Sequence, residues 1–234
     1  MIGREKRFLS NKDKELITMS IPHFYDNVQD VSDSERALIA QIPFNEEEYK
    51  EKLNISHVHG EKGYSTIERT GIRPALDICG IWGGYTGEGS KTVLPSKAYA
   101  KLSARLVPDQ KYEEIANLVE SYIKSIAPEY VTVEVEKLHG AESYVCPINS
   151  VAYRAAEKAY TKTFGIRPLP VRRGGSIGVV PVFEKVLGVK PLLIGFGLES
   201  DAIHSPNENF PLDLFYKGIE TIIEFYKEFS TLDK

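Results

Sequence analysis

Tyr99-Ala100-Lys101-Leu102-Ser103-Ala104-Arg105-Leu106-Val107 reads as a strand with mixed faces, and the chain after it changes to helical periodicity. Tyr112, Ile115, Leu118, Val119, Tyr122, Ile123 and Ile126 recur every three or four residues and form one apolar stripe. Asp109 is the expected cap of that helix and Pro128 its stop. Tyr130-Val131-Thr132-Val133-Glu134-Val135-Glu136 then alternates as a strand with one wet face and delivers His139-Gly140 at its exit. Upstream, Ala75 to Trp82 alternates imperfectly and runs into Gly83-Gly84-Tyr85-Thr86-Gly87-Glu88-Gly89-Ser90. That loop suits a turn or a close approach to ligand, but no Gly-Lys-Ser/Thr closes it as a nucleotide-phosphate loop requires. Strand, strand, helix, strand predicts most of an antiparallel sheet with helices on one side over residues 74–146.

The flanks differ in kind. After Pro147, a helix carrying Val151, Tyr153, Ala155, Ala156, Ala159, Tyr160 and Phe164 ends at Gly165, a C-cap residue. Ile177 to Leu187 reads as a short helix, Leu192 to Phe196 as a buried strand, and Leu212 to Phe229 as an amphipathic helix. Residues 147–234 therefore follow α/β logic with a parallel or mixed sheet, which makes the chain α/β overall, an α+β module followed by an α/β remainder. In residues 1–73, Ser32-Asp33-Ser34-Glu35 caps a helix through Arg36 to Gln41, and Asn45-Glu46-Glu47-Glu48 opens another that ends near Leu53. The glutamates complement a helix dipole as a solvated first turn. His57-Val58-His59 would share a strand face as a metal pair, but Ile55 to Thr70 offers no convincing carboxylate or thiol beside it and reads as a surface loop.

Composition removes several function classes. A formal net charge of -4, with Lys and Arg interspersed among acids, gives no basic patch for nucleic acid. Two cysteines, Cys79 and Cys146, are too few for a disulfide framework, so reduced thiols are expected. No apolar run approaches the roughly 18–20 residues that span a membrane, and the charged N-terminus does not read as a secretory signal. The expected location is cytoplasmic.

Two stretches gather small, polar and titratable residues beyond what packing needs. In Arg172-Arg173-Gly174-Gly175-Ser176, the glycines permit a tight turn and leave the Ser176 hydroxyl and nearby N–H groups able to hold an anionic oxygen. In Ser200-Asp201-Ala202-Ile203-His204-Ser205-Pro206-Asn207-Glu208, His204 follows the apolar run Leu192 to Gly197, and a neutral imidazole past a strand's carboxyl end can bind a divalent ion. Structural glycines and a solvated histidine are the alternative reading of both.

The order Trp82-Gly83-Gly84-Tyr85-Thr86-Gly87-Glu88-Gly89-Ser90-Lys91-Thr92-Val93-Leu94-Pro95, then Ser103 to Pro108, His139-Gly140, Arg-Gly-Gly-Ser-Ile and Asp-Ala-Ile-His-Ser-Pro-Asn-Glu resembles the carnosinase-like metallopeptidases, relatives of aminoacylase and succinyl-diaminopimelate desuccinylase. The resemblance runs from about Ile21 to the terminus. It implies a catalytic α/β domain interrupted by a ferredoxin-like lid, or dimerisation, domain. Residues 1–73 would hold the tail of a lid helix and an inserted segment, residues 74–146 the rest of an incomplete lid, and residues 147–234 the last catalytic segment. It also implies two divalent ions, zinc or manganese, a glutamate general base, and a substrate with a free carboxylate, a dipeptide or N-acyl amino acid.

Carried over by that resemblance, His204 is a metal ligand, Gly174, Gly175 and Ser176 form the substrate-carboxylate loop, and Thr92, Arg105 and His139 are lid residues that touch substrate. Arg173 departs from the glutamate of the animal dipeptidases, and Gly178 from a common proline. No His-x-Asp occurs, and Glu46-Glu47-Glu48 lacks the glycine-rich setting of the catalytic pair, so the first metal-binding segment and the general base have no counterpart. The expectation is the C-terminal part of a peptidase, inactive alone, forming a homodimer through the lid. A separate chain supplying the missing half, or a non-catalytic peptide-binding module, are the alternatives.

Overall fold

The computed structural model describes residues 20–173 and 177–232, which fall into two compact units, one of residues 20–144, 172–173 and 177–181 and the other of residues 145–171 and 182–232. Its secondary structure is mixed α and β.

The first three helices of the first unit begin where side chains cover orphan N–H groups. In α1 (Asp33–Ile39) the Ser32 hydroxyl accepts from the Glu35 N–H at 3.2 Å. In α2 (Glu46–Leu53) the Asn45 side chain accepts from Glu47 and Glu48, and the helix ends on left-handed Asn54. α3 (Thr66–Ile72) corrects the surface-loop reading of residues 55–70. Ser65 and Glu68 cap it reciprocally, a Ser-x-x-Glu signal hidden in a polar, glycine-bearing context. His57 and His59 are exposed before it, and the His57 ring sits 2.8 Å from the Ser56 hydroxyl.

β1 (Ala75–Gly83) and β2 (Ala98–Arg105) form an antiparallel hairpin running from the Ala75–Arg105 pair to the Gly83–Ala98 pair, with an irregularity at Cys79. The chain then turns at Val107 to Gln110 into α4 (Tyr112–Ser125). Asp109 is not the cap expected of it. Lys111 holds that position without a side-chain bond, while Asp109 takes a left-handed φ of 70° and accepts from the Gln29 amide. The α4 stripe closes a core of Ile21, Phe24 and Ile115, joined by Tyr25, Leu76, Leu106, Leu118, Val119 and Tyr122.

The strand expected at Tyr130 to Glu136 is not formed, and the sheet among the described residues has two strands. The alternation itself survives, with Val133 and Val135 half-buried and Thr132, Glu134 and Glu136 exposed. A side-chain pattern selects a face, but a strand also needs a neighbour to take its N–H and C=O groups.

Lys137 ties this segment to α4 through Asn117 at 2.6 Å and Glu120 at 2.8 Å. Hydrogen bonds from Lys124 and then Lys137 hold the Glu120 carboxyl down at about 2, below its ordinary 4.5. Because the folded value is depressed, its contribution is present above pH 4.5 and is lost as pH falls towards 2. Glu120 is exposed to screening, so the effect is small. Glu120→Gln is expected to melt slightly below wild type at neutral pH and together with it near pH 2, as scanning calorimetry across that range would show.

In the second unit, Ser150 caps α5 (Val151–Phe164) by accepting from Tyr153, and Gly165 ends it in the left-handed conformation. α5 packs on α7 (Leu212–Leu232). The buried positions are small, Ala155, Ala156 and Ala159 on α5 and Gly218 and Thr221 on α7, which lets the helices approach closely. Thr163 and Thr221 join hydroxyls at 2.7 Å, and Lys162 pairs with Glu224. α6 (Val179–Leu187) lies between them in sequence. The strand expected at Leu192 to Phe196 is also not formed, since no described segment offers it a ladder. Phe196 instead stacks on Tyr160 and Phe164, and the Gly195 carbonyl accepts from the Tyr160 hydroxyl at 2.9 Å.

Candidate functional site

The loop after Phe196 is held by one buried carboxylate. Asp201 is 1% exposed, its Oδ2 accepts from the Leu198 N–H at 2.7 Å, and its backbone carbonyl accepts from the Asn209 N–H at 2.9 Å. The first bond fixes the turn entering the loop, and the second draws the ends of the 201–209 loop together. Inside it, Ala202, His204 and Asn207 have φ of 53°, 63° and 64°. A left-handed non-glycine residue costs about 1 kcal/mol or more, so three in six residues are sustained only by the closures around them. Ser205 donates to the Ala202 carbonyl at 2.8 Å and Glu208 to the Ser205 carbonyl at 3.2 Å. The Glu208 carboxylate reaches back to accept the His204 N–H at 3.3 Å.

The result is an exposed His204 on a constrained turn. Beside it lies a cavity of about 430 Å³ lined by Gly197, Asp201, Ile203, Glu208, Asn209 and Phe210. Asp201 Oδ1 is buried without a hydrogen-bond partner among the described residues. For a divalent ion, His204 offers one neutral nitrogen with a carboxylate close by, which suits one corner of a site. No cluster of three or more His, Cys, Asp or Glu able to hold an ion occurs among the described residues. A complete two-ion site needs several bridging and neutralising carboxylates.

The remaining candidates belong to the first unit or lie outside the described residues. Arg105 ends β2 at the base of the hairpin, opposite Ala75. Thr92 is exposed in the connection beyond Gly83 and Ala98, at the far end. With about 3.3 Å per residue along β2, the hairpin holds these two positions apart. His139 is exposed, next to Gly140, where a Cβ would meet the Tyr112 ring at 2.4 Å. Gly174, Gly175 and Ser176 lie outside the described residues. The segment leading to them is anchored by Arg172, whose Nε pairs with Glu35 at 2.6 Å and whose carbonyl lies where a Cβ on Gly71 would stand, at 2.5 Å. The sequence displayed Asp201 and Glu208 without revealing a role for either, because loop closure appears only in three dimensions.

The model of peptidase family M20/M25/M40 matches residues 28–228. The chain belongs to this family. Among its relatives, the Cys-Gly metallodipeptidase of Schizosaccharomyces pombe is 29% identical over 215 residues, 91% of this chain and 45% of that protein. The Cys-Gly metallodipeptidase of Candida albicans is 31% identical over 205 residues, covering 86% and 42%. The solved structure of the di-peptidase Dug1p from Saccharomyces cerevisiae superposes with a TM-score of 0.82 at 26% identity, over 98% of this chain and 48% of that one. The M20 family metallo-carboxypeptidase Sso-CP2 from Sulfolobus solfataricus gives 0.81 at 27%, over 96% and 50%. This M20 chain thus spans about half the length of the relatives it matches, and the mixed α/β architecture is that of M20 peptidases.

Proposed function

We propose that this M20 chain is the C-terminal part of a metal-dependent dipeptidase, carrying the substrate-carboxylate side of the site and one metal ligand. The family match over residues 28–228 carries the reading. Divalent ions, zinc or manganese, supply a polarised carbonyl and an activated water in such hydrolysis. In this reading the chain's own residues bind and orient. His204 holds one ion through a ring nitrogen, and Ser176 with the N–H groups around Gly174 and Gly175 receives the substrate carboxylate. Arg105 pairs with that carboxylate through two N–H groups, while Thr92 and His139 contact the rest of a dipeptide or N-acyl amino acid. No residue of the chain is assigned as general base.

A second reading keeps the binding and removes the turnover, making the chain one subunit of a split peptidase or a peptide-binding module. The separation of Thr92 and Arg105 along the hairpin supports a homodimer in which different copies present them to one substrate. Both cysteines are free thiols, in keeping with a cytoplasmic setting, and no helix among the described residues is long and apolar enough to cross a membrane.

Hydrolysis of a dipeptide panel with zinc or manganese, run beside His204→Ala, tests turnover. The expected result is none in either protein, and activity that the substitution abolishes would mean that the chain completes its own metal site. Dipeptide binding by saturation-transfer NMR tests the carboxylate role. Arg105→Met is expected to weaken binding about tenfold or more, the size of a lost charge-assisted pair, and a C-terminally amidated dipeptide should bind no better to wild type than to the variant.

A further inference from the structure

α7 is apolar on two faces, and the second unit covers one of them. Gly218 and Thr221 are buried where the helix packs on α5. Phe215, Ile219 and Ile223 follow one another at four-residue spacing, share a stripe, and are 46–51% exposed. Together with Phe196 they line an apolar groove of about 340 Å³. A helix with apolar residues on both sides is built to be packed on both sides.

The segment Leu192 to Phe196 reaches the same groove. The Phe196 ring lies 3.1 Å from where a Cβ on Gly218 would stand. Leu192, Ile194 and Phe196 are half-buried while Leu193 and Gly195 are exposed, the alternation of a strand lying on a helical layer. Among the described residues no segment forms a ladder with it. Groove and segment call for the same neighbour, an extended stretch that pairs through its backbone and lays apolar side chains on α7. The M20 structures that superpose on nearly all of this chain have about as much polypeptide again beyond the match, which is where such a neighbour belongs.

We propose that the α7 groove and the Leu192 to Phe196 segment form the docking surface for the complementary part of an M20 peptidase. That polypeptide adds a strand beside Leu192 to Phe196 and seats apolar side chains against Phe215, Ile219 and Ile223. The inference rests on the reading of this chain as one part of a peptidase.

The probe is the part of the Schizosaccharomyces pombe Cys-Gly metallodipeptidase that this chain does not match, produced as a separate polypeptide. Its binding to the matched part of the same dipeptidase shows that it is competent. With the full chain, light scattering is expected to show a one-to-one complex. Hydrogen exchange should slow at the amides of Leu192 to Phe196 and along residues 215–223. Ile219→Glu should weaken the complex about thirtyfold or more, as loss of a central apolar anchor does. It should leave the melting temperature of the free chain unchanged, because Ile219 is half exposed there. No complex with a competent probe would overturn the proposal, as would a complex that protects neither stretch and tolerates Ile219→Glu. A dimer of the chain alone that Ile219→Glu dissociates would give the face to a second copy instead. Dipeptide hydrolysis with zinc is read on the same samples. A complex with the expected protection but no hydrolysis keeps the docking surface and removes the peptidase reading.

Discussion

Gln110→Leu is expected to destabilise the first unit by about 3 kcal/mol, the cost of leaving two buried backbone groups unpaired. Gln110 is 1% exposed, its Oε1 accepts the Val107 N–H at 3.1 Å, and its Nε2 donates to the Phe24 carbonyl at 2.8 Å. One side chain therefore closes the turn that starts α4 and fastens it to the segment bearing Phe24, a centre of the core. Leucine matches the volume and restores neither bond. For a unit of this size the loss corresponds to a fall in melting temperature of roughly 6–12 °C, which circular dichroism would register. Gln110→Glu sharpens the test. The introduced carboxylate can accept from Val107 but, when ionised, faces the Phe24 carbonyl with no proton to donate. Burial raises its pKa in the folded state, so the variant should be least stable at neutral pH and recover as pH falls through that raised value. A Gln110→Leu protein melting within 1 °C of wild type would mean that the bridge contributes nothing net.

Arg73→Met is the second large effect. The Arg73 guanidinium makes a two-pronged contact with Glu61 at 2.7 and 2.8 Å, lies 4.4 Å from the centre of the Tyr64 ring, and is 8% exposed against 14% for Glu61. Burial acts to lower its pKa, and the hydrogen bonds and charge of Glu61 more than offset that, leaving it above its ordinary value. Removing only the cation strands a largely buried carboxylate, at a cost of about 3 kcal/mol. Removing both charges should cost less than that, because the pair owes most of its apparent strength to the penalty of breaking it. A double-mutant cycle with Glu61→Leu, read by urea unfolding, gives the answer directly. Equal losses for the single and double variants would show that packing of the Arg73 stem on the aromatic rings, rather than the pairing, carries the effect.

Both sites sit where local pattern and tertiary arrangement part company. The α2, α4 and α5 helices were legible because a helix satisfies most of its backbone within itself and advertises its ends with residues such as Asn45, Ser150 and Gly165. α3 was missed although Ser65 and Glu68 form a full capping box, since seven residues of mixed polarity show little periodicity. The candidate site was legible as residue types in motif order. Its mechanics were not, because the left-handed turns at Ala202, His204 and Asn207 are held by hydrogen bonds that the Asp201 and Glu208 carboxylates accept and that no spacing rule announces.

By itself the sequence determined the helices other than α3, the two hairpin strands and membership of the M20 family, all of which rest on near neighbours or on the order of motifs. Tertiary structure alone decided whether an alternating segment becomes a strand. Tyr130 to Glu136 and Leu192 to Phe196 have the side chains for it, but a strand's hydrogen bonds belong half to another segment, and the described residues supply none. It also decided which polar groups are buried together, as with Gln110 and the Phe24 carbonyl 86 positions away. Such pairs form because burial makes an unpaired polar group costly, and the partner is whichever residue the fold brings within reach.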